Sequence, residues 1–591
     1  MINLEPKDKE ALINCAMGKI PADLCITNVR LVNVLTGEIY PADIYVYDKF
    51  IAHVEKDNVG ENIDAKKIVD GEGKYIIPGL IDSHVHIESS MLTPRNFAKC
   101  IINHGTTTIV TDPHEIANVY GREAVKYMHD ASDNLPMRQL IDIPSCVPAV
   151  PGLENSGAEF FAEDIFELAK LERVVGLAEV MDYIGVVNCS ERMMSIIQAG
   201  KDCGLYIQGH APFVSGRMLS AYVIGGARTC HESRSEKEFV EKLRVGMSVD
   251  VRESSISKNA REAVLGTQGI KFYDNFCSCT DDRESHDLIE IGHINTTVKK
   301  LVASGMDAIT AIKSATFNTA RQIKIENLGA IAPGYIADML IVESLSDIKP
   351  SEVYFEGELV SKDGKLVKEI EDIEFEIETR NSINLKQPEL SAYEYKAPIE
   401  NGTVKVNIMC YDSSFSAATY VSTEEVPVKN GVLDISHDED LKYITVFNRY
   451  GKGTIGYGIT RGFGTKSGAV ASTVSHDSHN MTVVYDTKEN AKACIDALIE
   501  CKGGLAVSNK GKCLGTIPLQ VGGLMSINPA EVVAKQSEEM KEHLKAFELE
   551  LDDNPLLRIV TCALPVIPEC KMSDLGLVDV LKKEIIPLFA K

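Results

Sequence analysis

The chain has 591 residues, 44% of them hydrophobic and 25% charged, with a formal net charge of −25. That length exceeds one domain and leads us to expect two to four. The acidic balance argues against a nucleic-acid partner or an anionic membrane surface, since both need local positive potential.

The stretch from Met1 to Glu10 contains no apolar segment of a secretory leader, and no run is long and apolar enough to span a bilayer. The 15 cysteines are scattered without the spacing of a small disulfide scaffold. Reduced thiols and a cytoplasmic address are therefore expected. Residues 24–32 and 42–47 are β-branched runs punctuated by Gly and Pro, and residues 334–342 and 353–357 read the same way. We expect a small β-sandwich domain assembled from both flanks, residues 1–77 and 331–380.

Between the flanks, short apolar runs alternate with longer helical patterns. Candidate strands fall at residues 75–83, 106–112, 138–143, 174–179, 205–209, 227–230, 247–251 and 276–280. Strands alternating with helices in this way predict an α/β fold, a TIM-like (β/α)8 barrel over residues 78–330. Beyond a charged stretch at 362–381 lies a third region, residues 381–591, expected to be α+β. It has strand-like runs at 404–409, 443–448 and 481–485 and helical patterns at 487–501 and 529–549. Its Gly451-Lys452-Gly453-Thr454-Ile455-Gly456 matches a dinucleotide-binding spacing, but the glycine-rich residues that follow cannot begin a good helix. A glycine-rich hairpin is expected there instead. Cys277 and Cys279 are expected to be inward strand residues rather than a redox pair.

Active groups of such barrels sit at the C-terminal ends of strands. The first strand ends in His84 and His86, whose i, i+2 spacing puts both imidazoles on one face. The fourth ends in Glu179, the fifth in His210, the sixth in His231, and the eighth in Asp281-Asp282. One histidine at a strand end is usually structural; this many donors in barrel order point to a metal site. Asp281 is preferred over Asp282 because it shares strand parity with Cys277 and Cys279. The mixed set suits Zn, Mn or Fe(II), and it exceeds the needs of one tetrahedral ion. A pair of ions bridged by a carboxylate fits better, because such a pair can share and activate a hydroxide.

Pro78-Gly79-Leu80-Ile81-Asp82-Ser83-His84-Val85-His86 resembles the opening motif of the amidohydrolase superfamily. Within it the chain looks like the bacterial adenine deaminases. That closer likeness rests on His86-Ile87-Glu88-Ser89-Ser90, Thr111-Asp112-Pro113-His114-Glu115, Gly176-Leu177-Ala178-Glu179-Val180-Met181, Gly209-His210-Ala211-Pro212, Cys230-His231-Glu232-Ser233, Thr280-Asp281-Asp282-Arg283 and Ser475-His476-Asp477-Ser478-His479-Asn480. The resemblance implies hydrolytic deamination of adenine to hypoxanthine and ammonia, as in purine salvage. It places metal ligands at His84, His86, Glu179, His210, His231 and Asp281. Glu179 stands where many amidohydrolases have a carboxylated lysine, as the adenine deaminases do. The implied cofactor is a manganese pair, with Fe2+ or Zn2+ as alternatives, and the expected assembly is a homodimer.

In that chemistry a metal-bound hydroxide attacks the purine, and Asp281 moves its proton to the leaving amine. Glu179 fixes the ion separation. Glu88 and Asp112 are catalytic candidates for protonating the ring, with Glu115 also considered. His114, Glu115 and Ser89 are expected substrate contacts. His476 and His479 suit either a flap over the barrel mouth or a polar connection. Two other readings remain: a cyclic-amide hydrolase or deacetylase, and a metal-free scaffold on the same barrel.

Overall fold

The computed structural model describes residues 5–56, 63–411, 418–545, 547 and 555–590. The N-terminal flank opens with helix Lys9–Ala16 and three antiparallel strands, β1 (Leu24–Asn33), β2 (Glu38–Tyr47) and β3 (Phe50–Lys56). Strand β4 (Ile68–Asp70) and strand β5 (Tyr75–Pro78) both run parallel to β1. The expected strand at 75–83 is two strands in two sheets. The ladder changes partners between neighbouring residues: the Gly79 N–H donates to the Asp338 carbonyl at 2.9 Å, and the Leu80 N–H to the Gly105 carbonyl at 3.0 Å. Pro78 has no N–H with which to extend the first ladder. Gly79 fits the crossing because a Cβ there would lie 2.4 Å from Thr107 Oγ1.

The central region holds β6 (Leu80–His86), β7 (Thr106–Thr111), β8 (Arg138–Ile143), β9 (Val174–Val180), β10 (Tyr206–Gly209), β11 (Thr229–Cys230), β12 (Ser248–Arg252), β13 (Phe276–Cys279) and β14 (Asp281–Asp282). They form a curled six-stranded sheet, ordered β10-β9-β8-β7-β6-β14, and a three-stranded sheet, β11-β12-β13. Every pairing in both is parallel. Only Thr280 separates β13 from β14, so the second sheet continues into the first. At the other seam the Arg228 N–H donates to the Ile207 carbonyl at 3.0 Å. Helices such as Pro94–Ile101, Glu191–Asp202 and Ile294–Ala303 alternate with the strands. Strands β6 to β9 are buried along their whole length, as expected of parallel strands covered on both faces.

The chain then returns to the first flank. Strand β15 (Met339–Val342) pairs antiparallel with β5 on one side and with β16 (Pro350–Phe355) on the other; β17 (Glu358–Lys362) and β18 (Lys365–Leu366) follow. The flanks thus share one nine-stranded sheet, ordered β18-β17-β16-β15-β5-β1-β2-β3 with β4 beside β1. A bridge from Phe50 to Ile336 bends it back on itself.

The third region is built on a second nine-stranded sheet, from Gly402–Tyr411 through Lys512–Pro518. Leu441–Phe447 and Ile455–Arg461 pair antiparallel across the glycine-rich turn, so that segment is a hairpin. Helices Lys488–Glu500 and Ala530–Lys545 match the helical patterns in the sequence. This region packs against the ends of the central strands. Asn96 Nδ2 donates to the Ile527 and Asn528 carbonyls, both at 3.0 Å, and Asn480 Nδ2 to the Asn155 carbonyl at 2.7 Å. Among the described residues, no helix is long and apolar enough to cross a membrane.

Candidate metal centre

His84 and His86 end β6 with both rings buried. The His86 Nδ1–H donates to the Asp112 carbonyl at 3.0 Å, which leaves the Nε2 lone pair free. That nitrogen lies 3.3 Å from Asp281 Oδ1 and 3.5 Å from Glu179 Oε1. His84 Nε2 is 3.5 Å from the same Asp281 oxygen. Glu179, on β9, turns its other oxygen to 2.6 Å from His210 Nδ1 and 3.2 Å from His231 Nε2. The His231 ring stacks on His84 with centroids 4.2 Å apart. All six expected donors therefore meet at one end of the curled sheet, with Glu179 between two groups of imidazoles.

Asp281 arrives by a route the parity argument does not describe. Strand β13 stops at Cys279, and Asp281 has a left-handed backbone with φ 60°. It sits opposite Val85 in the β14–β6 pairing. Its second oxygen is held by Arg252, at the end of β12, whose guanidinium also reaches Glu232 at 2.5 Å.

Electrostatics favour charged carboxylates here. Burial alone would raise the Glu179 carboxyl, but His210, His231 and His86 hold it well below its usual range. Asp281 is likewise buried and likewise lowered, by Arg252 and then His84 and His86. Burial and the neighbouring His231 depress His84, which favours the neutral, ligating form.

The donor set fits metal ions on local geometry. Both nitrogens of His84, Nε2 of His210 and Nδ1 of His231 are buried without a hydrogen-bond partner. Most imidazole–carboxylate contacts at the centre span 3.2–3.5 Å. That is long for a charge-assisted hydrogen bond but suits donors around an ion with bonds of about 2.1 Å. The exception is His210 with Glu179, a direct hydrogen bond.

The remaining expected residues form a second layer. Asp112 accepts the His114 N–H at 3.1 Å, and its other oxygen is 3.2 Å from His114 Nδ1. Glu115 accepts the Ser89 hydroxyl at 2.9 Å; the same hydroxyl lies 2.6 Å from Asp282. Glu88 is fully buried and accepts the Ile116 N–H at 3.3 Å. Burial and then Glu115 push its carboxyl up to about 8. Ser89 and Asp282 line a cleft with His476 and the apolar side chains of Val474, Leu505 and Val560.

In the sequence, Arg252, Glu232 and Asp477 carried no assigned role, and Asp282 stood second to Asp281. Arg252 ends a strand like the ligands, yet a search for metal donors passes over a cation. The segment whose role was open proves to be buried against the central region. His479 Nε2 is 3.8 Å from Glu115, and Asp477 is 3.5 Å from His114.

Comparison with known proteins adds a second line of information. Residues 75–367 match the model of the amidohydrolase family, and residues 416–584 that of the adenine deaminase C-terminal domain. Adenine deaminase 2 of Carboxydothermus hydrogenoformans is 38% identical, over 98% of this chain and 99% of its own length. The adenine deaminase of Staphylothermus marinus is 37% identical over 98% of this chain and 97% of its own, and that of Thermosipho africanus is 37% identical over 98% and 99%.

Proposed function

The chain belongs to the adenine deaminase family of amidohydrolases, and from that membership we propose that it hydrolyses adenine to hypoxanthine and ammonia at a binuclear metal centre. The observation that carries this reading is Glu179, a buried carboxylate facing His86 with one oxygen and His210 and His231 with the other. His84, His86 and Asp281 would hold one ion, His210 and His231 the other, and Glu179 would bridge them. Manganese is the proposed metal.

When bound, such a pair supplies a water ionised near neutral pH. The protein residues handle the protons. Asp281 presents Oδ1 beside His84 and His86 while Arg252 fixes Oδ2. As the oxygen not held by Arg252, Oδ1 is placed to take a proton from the nucleophile and deliver it to the departing amine. Glu88, with its carboxyl raised to about 8, keeps a proton at neutral pH and suits donation to the purine ring. Asp112 orients the His86 ring through its carbonyl and accepts the His114 backbone N–H, with its Oδ2 3.2 Å from His114 Nδ1. Ser89, on the polar side of the cleft, and Glu115, which accepts its hydroxyl, are the proposed substrate contacts.

The strand order, with short seams at β10–β11 and Thr280, supports a closed (β/α)8 barrel over residues 78–330. In the same reading, residues 1–77 with 331–380 and residues 381–591 form the other domains, and the working assembly is a cytoplasmic homodimer.

The test is turnover by the manganese-loaded full chain of adenine, a hydantoin and a dihydropyrimidine, read as ammonia release from the first and as ring-opened carbamoyl acid from the other two. Adenine is expected to react, with the ultraviolet spectrum moving to that of hypoxanthine. Inert adenine beside a hydrolysed cyclic amide would replace this reading with cyclic-amide hydrolysis.

A further inference from the structure

The segment at residues 473–480 carries titratable side chains that the deamination chemistry above does not use. Asp477 Oδ1 lies 3.5 Å from His114 Nε2 and 3.4 Å from His476 Nδ1. These donor atoms fall within 4.8 Å of one another, and all of the residues are buried. Asp477 Oδ2 has no hydrogen-bond partner. Two imidazoles aimed at one carboxylate oxygen from 3.4–3.5 Å are too far for charge-assisted hydrogen bonds, which close to about 2.7–2.9 Å. They stand at the edge length of a tetrahedron of donors, about 3.4 Å for bonds of about 2.1 Å. The main centre shows the same spacing between His86 and its carboxylates, 3.3 and 3.5 Å.

The tautomers separate this set from its neighbours. His114 Nδ1 lies 3.2 Å from Asp112 Oδ2 and 3.8 Å from Glu179 Oε1, on the side of the ring that faces the main centre. Its Nε2 is the nitrogen turned toward Asp477. His479 is different: its Nδ1 accepts the Ser475 N–H at 3.2 Å, so its proton resides on Nε2. His479 therefore carries its proton on the nitrogen that lies 3.8 Å from Glu115 and does not ligate through it.

We propose that His114 Nε2, His476 Nδ1 and Asp477 Oδ1 form a further binding site for a first-row divalent metal ion, separate from the pair held by Glu179, which clasps the C-terminal region to the barrel. Two imidazoles and one carboxylate on an ion leave open positions and suit Mn2+, Fe2+ or Zn2+. The site joins helix His114–Tyr120, which follows β7, to the turn at 475–479. It depends on neither adenine as substrate nor a binuclear pair in the barrel.

The test is anomalous diffraction at the manganese edge from crystals of the full chain grown with MnCl2, for the wild type, His476→Gln and Asp477→Asn. A peak among His114, His476 and Asp477 in the wild type, lost in each variant while peaks beside Glu179 remain, is the expected result. A wild-type map without that peak overturns the proposal whatever the barrel holds. So does a peak of undiminished height in both variants. Peaks beside Glu179 are read separately, so a failed binuclear pair is told apart from a failed clasp. If His476→Gln does not fold, the wild-type and Asp477→Asn maps still decide.

Discussion

Glu179 and Arg252 hold opposite ends of the charge balance at the centre. Glu179 compensates three buried imidazoles, and Glu179→Gln keeps its volume while removing its charge. The variant is expected to lose metal along with rate, which elemental analysis of the dialysed protein reads directly. Full occupancy with full activity would remove Glu179 from the centre. Arg252 neutralises two buried carboxylates, Asp281 and Glu232. Removing one partner of a buried charge network costs about 3–5 kcal/mol, so Arg252→Gln should lower the midpoint of thermal unfolding well below the wild type. An unchanged midpoint would mean that the carboxylates find other compensation. The ligand candidates could be read from the sequence because each closes an apolar run, and strand ends are where barrels place chemistry. Asp281 was chosen by a parity that the strand break at Thr280 removes. What brings it to His84 is its left-handed backbone, which side-chain alternation does not reveal.

At the scale of elements, the seam between β10 and β11 matters most, because His210 and His231 follow its two sides. Gly209 permits the approach: a Cβ there would lie 2.3 Å from the Thr229 carbonyl, a backbone atom that cannot swing away. Gly209→Ala should cost about 1–3 kcal/mol through overpacking and should also loosen metal retention. Thermal unfolding and metal content, measured together, check this; wild-type values for both would show that the strands part freely. The central strands were legible because parallel strands covered on both faces are continuous apolar runs. The break at Pro78-Gly79 was not, since the apolar run continues through it while the hydrogen-bond partners change. In the third region the strand Thr419–Lys429 mixes valines with half-buried Glu424 and exposed Glu425, so periodicity concealed much of that sheet.

At the scale of the whole molecule, the C-terminal region packs on the central region with buried ionisable groups. Glu154, beside Asp477, accepts the Val150 N–H at 2.9 Å, and burial followed by Asp477 raises its carboxyl from 4.5 to about 8. A raised carboxyl stabilises the fold fully below about 4.5 and loses that contribution as pH climbs through about 8. The slope within the window is about 1.4 kcal/mol per pH unit. Thermal unfolding of the metal-free protein from pH 6 to 8 should therefore fall more steeply for the wild type than for Glu154→Gln, and parallel curves would contradict this. That docking could not be read from the sequence, because His476 and His479 show in a linear chain only as polar residues in a turn. The account as a whole depends on metal held at the end of the curled sheet doing the hydrolysis. Its most direct test is adenine turnover by the full chain after chelation and again after manganese is restored. The account predicts that activity disappears and then returns; hypoxanthine formed at an undiminished rate by the metal-stripped protein would contradict it.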